Sequence, residues 1–433
     1  MTPETVELAR LQFALTAGIH FLFVALTLGL ATTVACLQLR ATVTRSPLHT
    51  HMVRFWGQLY VINYAMGIVT GLVMELQFGL SWSGLTHFAG NLFGAALAME
   101  TLVAFFIEST FLGLWIFGWG RMNRWLHLGV IWVVTLTAYA SAYWILVANG
   151  FMQNPTGAAL DGDTLVLTDL SALLTNPSTL TAFGHIAGGA LLTSGFFVAG
   201  VSAYHLRRRT EQREFFGRSL RIGVYTSVPA LFLAVATGGL QFGHLEGTQP
   251  MKLAVFAMDG DEIDALQAAM IEQFGAGDYT PPGLARAAGL VMLVVFAAMF
   301  WILLVGALLA ISRKVIVRFR LWHVVLMAAM PLPYVAMISG WVFREVGRQP
   351  WVVYEMLTVD DAVSDISDTA MRASLITFTT LFGVLVAVTI WLMARHARRG
   401  PDAVTLGAGE LGGDTSSRPA RDPSEAILTF VGR

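Results

Sequence analysis

The chain has a single cysteine, few charged side chains and almost no net charge. Cys36 lies within an apolar run. That excludes a disulfide framework, and it excludes a C-x-x-C-H motif for covalent haem attachment. Charged residues make up 13% of the sequence, against about a quarter in soluble globular proteins. A water-soluble domain of this length is therefore excluded. A formal net charge of −1 leaves no basic footprint, so no nucleic-acid partner is expected. No internal repeat is visible. Glu4 and Glu7 stand where a cleaved signal peptide would carry basic residues, so none is expected.

What the sequence has in excess is apolar surface: 55% hydrophobic and 11% aromatic residues. Runs long enough to cross about 30 Å of hydrocarbon recur along the chain. They predict nine spans, at 14–38, 55–80, 92–118, 127–149, 180–204, 223–243, 285–312, 322–345 and 371–394. The expected fold is an all-α polytopic membrane protein with a transmembrane domain over 1–396. Arginine and lysine set its orientation. The loops after spans 1, 3, 5 and 7 and the stretch after span 9 are basic. Those after spans 2 and 4 have neither Lys nor Arg, and the latter carries Asp161, Asp163 and Asp169. This alternation predicts an N-terminus outside and a cytoplasmic C-terminus. Residues 397–433, rich in Gly, Ser, Pro and Asp, read as a disordered cytoplasmic tail.

Ionisable residues inside such a chain are costly and point to function. The segment GWVFREVGRQPW puts Glu345 and Arg348 at the end of an apolar run. Glu345 there can bind a metal, relay a proton or pair with Arg348 one turn on. The predicted topology brings His20, His185 and Glu345 to one depth near the outer face. Neutral imidazole and carboxylate are both ligands for iron, and three candidates at one level favour a cofactor site over isolated core histidines. Glu100 and Glu108 share one predicted helix, about 12 Å apart on one face. They suit a proton relay, with helix-packing acids as the alternative. The longest outer loop, 244–283, contains Lys252 as its only Lys or Arg. Lys252 reads as a solvated ion pair, with a bond to a substrate carbonyl as the alternative.

These segments resemble subunit I of the cytochrome bd-type quinol oxidases. RLQFALTAGIHFLF, AMGIVTGLVMELQFGLSW, NLFGAALAMETLVAFFIESTFLGLWIFGW, WILVANGFMQNP and GWVFREVGRQPW carry the resemblance. It is close over 8–155 and 320–357 and looser in spans 5 and 6. It implies a haem-bearing respiratory oxidase of the bacterial inner membrane, taking electrons from quinol or another donor and reducing dioxygen to water. It further implies one or two haems b, a haem d or further haem b, and a second membrane subunit of the subunit II type. By position, His20 and Glu345 correspond to the ligands of two high-spin haems, and His185 to one ligand of the low-spin haem b. Glu100 and Glu108 correspond to the family's proton-handling acids, and Arg348 and Trp341 to residues lining the high-spin pair. Gln249 and Lys252 correspond to the QxxK of the quinol loop.

Two positions depart from that pattern. The family's loop has a Glu five residues after the Lys, and here Ala257 stands there. The family's low-spin methionine would fall at Ala288. Met292, four residues on, lies about one helical turn deeper and ligates only if the helix is shifted; otherwise it fills space in the core. The alternatives are therefore a divergent relative without a working quinol site and, from another class, a transporter using Glu100 and Glu108. Missing inverted repeats and paired broken helices speak against the transporter.

Overall fold

The computed structural model describes residues 2–407, apart from the side chains of Val103 and Ala104. Nine helical stretches among them are long and apolar enough to cross a membrane. In chain order, α1 (Pro3–Thr44) and α2 (Pro47–Ser81) form the first two spans. The third runs through α3 (Ser83–Ala98), a π-helical segment (Met99–Phe105) and α4 (Phe106–Phe117). α5 (Arg124–Gln153) is the fourth. A hairpin of β1 (Ala158–Asp161) and β2 (Thr164–Leu167) and the short α6 (Leu170–Leu174) lead to α7 (Pro177–Arg207) and α8 (Arg213–Thr248). The outer loop is folded into α9 (Pro250–Ala257) and α10 (Gly260–Phe274). α11 (Gly283–Ile311) is the seventh span, followed by the short α12 (Arg313–Arg318). α13 (Arg320–Ala328) and α14 (Leu332–Val346) make the eighth. A second hairpin, β3 (Trp351–Val353) and β4 (Leu357–Thr358), then α15 (Val359–Ala362), precede the last span, α16 (Asp368–Arg399).

Local chemistry explains several boundaries. Proline opens α1, α2, α7 and α9, where its missing N–H costs nothing. Asn123, Asn176 and Ser367 cap α5, α7 and α16 with side-chain oxygens. With 42 residues, α1 is roughly 60 Å long, about twice the hydrocarbon thickness, so it projects beyond the membrane.

Two predicted continuous spans are interrupted. Span 8 breaks between α13 and α14 at Met330–Pro331, with Pro333 just beyond, because proline removes a helix donor and clashes with the preceding turn. Span 3 widens into the π-helical segment from Met99. The spacing of Glu100 and Glu108 expected for a regular α-helix therefore does not apply. The tail also begins later than expected. Residues 397–399 complete α16, and the segment after it folds back on α2. There His51 Nε2 meets the Pro401 carbonyl at 2.8 Å, and the Thr405 N–H donates to Gln58 Oε1 at 2.9 Å. The rest of the predicted tail, 408–433, lies outside the described residues.

In lipid no water-driven burial pulls helices together, so small residues and polar contacts do. α7 sits at the centre of the bundle, packed on α8 and α1. At Gly29 of α1, an added Cβ would collide with the Ala190 carbonyl and the Ser194 side chain of α7. Asn63 of α2 donates to the Phe23 carbonyl (2.8 Å) and to Thr27 Oγ1 (2.9 Å) of α1. Gln12, Gln77 and Thr16 form a second buried link between these helices.

The N-terminus, both hairpins, α9, α10 and the segment before α16 gather at one end. Thr2 donates to Asp368, Tyr354 N–H to the Met152 carbonyl, and Ser364 N–H to the Ser81 carbonyl. Gly29→Leu should lower the apparent melting temperature of the detergent-solubilised protein, a cost of about 1–3 kcal/mol from overpacking. Gly79→Ala, where nothing stands within 4 Å, should leave it nearly unchanged. Equal melting for both variants would contradict this account of α1–α7 packing.

Candidate functional site

Near the end that holds the hairpins, α7, α8, α11 and α14 line an open-mouthed cavity with mostly apolar walls. His185, Met292, Trp341, Arg344, Gln249 and Lys252 line it. His185 Nδ1 meets the Ala234 carbonyl at 2.7 Å. That bond fixes the tautomer and leaves Nε2 as the free lone pair. The ring turns its Nδ1–Cε1 edge to α8: a Cβ at Gly238 would stand 3.0 Å from its Cε1. Met292 Sδ presses on α14 in the same way, 3.0 Å from where a Gly340 Cβ would be. The helix turn that separates Met292 from the expected position thus still leaves it on the cavity wall.

Glu345, at the end of α14, is held from four sides. Asn149 Nδ2 donates to its Oε1 at 2.9 Å and Gln153 Nε2 at 3.2 Å. Arg348 Nη2 donates to Oε2 at 2.6 Å, which is the predicted one-turn ion pair. Arg344 Nε lies 3.9 Å from Oε1 and donates to Asn149 Oδ1 at 2.8 Å. Three cations, Arg344, Arg348 and Lys252, surround this one carboxylate. Arg348 Nε and Nη1 are buried with no protein partner among the described residues, and carboxylates of a bound group would suit them.

Lys252 corrects the expectation of a solvated ion pair. Only 4% of it is exposed. Its Nζ donates inward, to the Arg344 carbonyl at 3.1 Å and Gln153 Oε1 at 3.3 Å. Burial holds its ammonium well below the usual lysine range, and the Arg344 guanidinium pushes the same way while Glu345 opposes. Gln249 Nε2 donates to the Gln153 carbonyl at 2.6 Å. Gln153 thus joins the Gln249–Lys252 pair to Glu345. Ala257, by contrast, is exposed at the far end of α9.

His20 lies apart from the cavity, between α1 and α2. Its Nδ1 meets Thr70 Oγ1 at 3.0 Å, and a Cβ at Gly71 would stand 3.0 Å from its Cε1. Its neighbour Phe21 reaches the cavity, meeting Trp341 edge-on at a ring-centroid distance of 5.3 Å. Glu100 belongs to a third group. Ser141 Oγ donates to its Oε1 at 2.6 Å. Thr101 Oγ1 lies 3.0 Å from its Oε2 and 3.1 Å from Glu75 Oε1. Glu108 is buried, and its Oε1 has no protein partner among the described residues.

The structure therefore brings His185, Met292, Trp341, Gln249, Lys252, Glu345 and Arg348 together, with His20 one residue from their edge and Glu100 and Glu108 in a separate file. Sequence reasoning missed Glu75, Asn149, Gln153 and Arg344. Arg344 and Glu75 carried a usable signal, charge within an apolar run. Asn149 and Gln153 carried none, because a polar residue near a helix end is ordinary. Among the described residues no three His, Cys, Asp or Glu side chains cluster to hold a bare metal ion. Single histidines with anchored Nδ1 atoms suit a metal whose other ligands come from a macrocycle.

The family model for "Cytochrome bd terminal oxidase subunit I" matches residues 8–280 and 263–401. The Bacillus subtilis (strain 168) protein named cytochrome bd ubiquinol oxidase subunit 1 is 34% identical, over 91% of this chain and 94% of its own. The Escherichia coli (strain K12) cytochrome bd-II ubiquinol oxidase subunit 1 is 32% identical, over 93% of this chain and 98% of its own. The solved bd oxidase of Geobacillus thermodenitrificans superposes with a TM-score of 0.82 at 25% identity, covering 92% of this chain and 99% of its own. A match over nearly the whole length, carried by the same helices that build the cavity, makes this chain a member of the cytochrome bd terminal oxidase subunit I family, a multi-pass protein of the bacterial membrane.

Proposed function

We propose that this chain is the haem-carrying subunit of a terminal oxidase that passes electrons from a quinol or another donor to dioxygen, giving water. The observation that carries the reading is His185, with Nδ1 anchored at 2.7 Å and Nε2 free, on the wall of an apolar cavity near the ion-paired Glu345. Haem iron supplies the electron transfer and oxygen chemistry. The protein's residues bind it, orient it and bring protons.

In this reading His185 would hold a low-spin haem b, and Met292, which lines the same cavity, is the candidate for a second ligand. His20 and Glu345 serve two high-spin haems, of type b and d or both b. Asn149 and Gln153 hold the Glu345 carboxylate in one orientation. Arg348 gives Glu345 one hydrogen bond and offers two further donors to haem carboxylates. Trp341 spaces the His20 region from the cavity. Reduction of one dioxygen to two waters consumes four electrons, which two quinols would supply, and four protons, which would come from the cytoplasm. Glu108 and Glu100, with Glu75, are the carriers of those protons. The basic loops support an N-terminus outside. The relatives' names call them subunit 1, and a second membrane subunit is the partner proposed here. The transporter reading loses its ground, since its two acids belong to a chain of the oxidase family.

A second reading concerns only the donor. Quinol oxidation releases two protons and needs a base beside a hydrogen-bond donor. Lys252 points inward, and Ala257 offers no base. This supports a relative with weak quinol oxidation and another donor.

Two outcomes are expected. His20→Ala and Glu345→Ala should each alter a different high-spin haem band; wild-type spectra and oxygen uptake in both would make these residues structural. In oxygen uptake driven by a reduced quinone analogue, the unmodified protein should be slow and Ala257→Glu faster. Rapid uptake that survives Lys252→Ala would put the donor site elsewhere.

A further inference from the structure

Three buried polar atoms between α2 and α4 have no protein partner among the described residues: Tyr60 Oη, Tyr64 Oη and Glu108 Oε1. The two tyrosines lie one turn apart on α2, with ring centroids 5.9 Å from each other. Tyr60 is fully enclosed and Tyr64 nearly so. Both pack in the same apolar cluster as Leu112 and Trp115, which follow Glu108 on α4. Phenylalanine would fill the same volume at either position, so packing does not call for the hydroxyls. Buried hydroxyls and carboxyls are costly without a hydrogen bond, and internal water commonly supplies it, making two to four bonds to such groups.

The order of these groups matches a path. Tyr60 is in electrostatic reach of Glu108, and Tyr64 of both Glu108 and Glu100. Beyond Glu100, Thr101 leads to Glu75. Glu75 lies one turn along α2 from Gly71, whose Cα faces the His20 ring. Along α2 the sequence is therefore Tyr60, Tyr64, Gly71 beside His20, then Glu75, running from the Arg-rich end towards the hairpin end.

We propose that Tyr60, Tyr64 and Glu108 together bind ordered water and form the proton-conducting segment that feeds Glu100 and Glu75. This rests on the reading of Glu100 and Glu108 as the proton route. Each tyrosine hydroxyl accepts a hydrogen bond from water on one side and donates on the other. A relayed proton replaces the hydroxyl's own and reverses the chain, which rotation of the O–H and water resets, so no charge stays in the apolar cluster. The tyrosines act by positioning water.

The test is infrared difference spectroscopy of the assembled, haem-loaded oxidase moved from H2O to D2O. The carbonyl stretch lost in Glu108→Gln identifies the protonated carboxyl of Glu108. In Tyr64→Phe that band should shift, and its deuterium exchange should slow by about tenfold, the effect of a barrier raised by about 1.4 kcal/mol. Tyr60→Phe should act in the same direction. Haem absorption should match the unmodified protein in both, which a general loss of structure would not allow. Unchanged band position and exchange in both Phe variants, with turnover slowed in Glu108→Gln, overturns the tyrosine–water segment alone. Wild-type turnover in Glu108→Gln overturns the proton-route reading, and this inference with it.

Discussion

A carboxylate held in an apolar bundle must be paired or protonated, and the way Glu345 is paired organises the hairpin end of this protein. Removing such a charge from water costs several kcal/mol even after relaxation. Here the compensation comes from two helices and a turn. Asn149 and Gln153 arrive from α5, Arg344 from α14 itself, and Arg348 from the turn that follows it. Gln153 then receives Gln249 and Lys252 from the loop helix α9. The loop that would meet a donor and the helix end that carries Glu345 are thus one hydrogen-bonded unit. A change at either is felt at the other.

The same constraint explains what could be read in the sequence. Nine spans were legible because a helix crossing lipid must be apolar for about 20 residues, and the family because its span-end motifs are specific. Glu345 and Arg348 were legible as a pair because charge in an apolar run stands out. The burial of Lys252 was not, since a lysine in an outer loop is ordinarily solvated and only the fold of α9 against α14 shows where Nζ goes. The break at Pro331 carried a local signal. The π-helical segment at Met99–Phe105 did not, because that stretch has ordinary helix-forming residues and the widening arises where Glu100 and Thr101 bond to α5 and α2. Residues 400–407 look like tail by composition, yet Leu406 is buried and Gln58 holds Thr405.

Two kinds of polar group coexist inside the bundle and do different things. Hydroxyls and amides such as Thr33, Asn63 and Gln77 bond to neighbouring backbone or side chains and hold helices in register. Glu108, Tyr60 and Tyr64 are left without such bonds. Three such groups gathered between α2 and α4 are poor packing unless water or another polar group meets them. None of the three lines the cavity at His185.

The account stands most directly on the absorption of the purified protein, reduced minus oxidised. Haem bands of both low-spin and high-spin type, with the high-spin signal binding carbon monoxide, are what the cavity at His185 and the anchored ring of His20 predict. A correctly folded protein from cells supplied with haem precursors that shows no haem bands at all would contradict it.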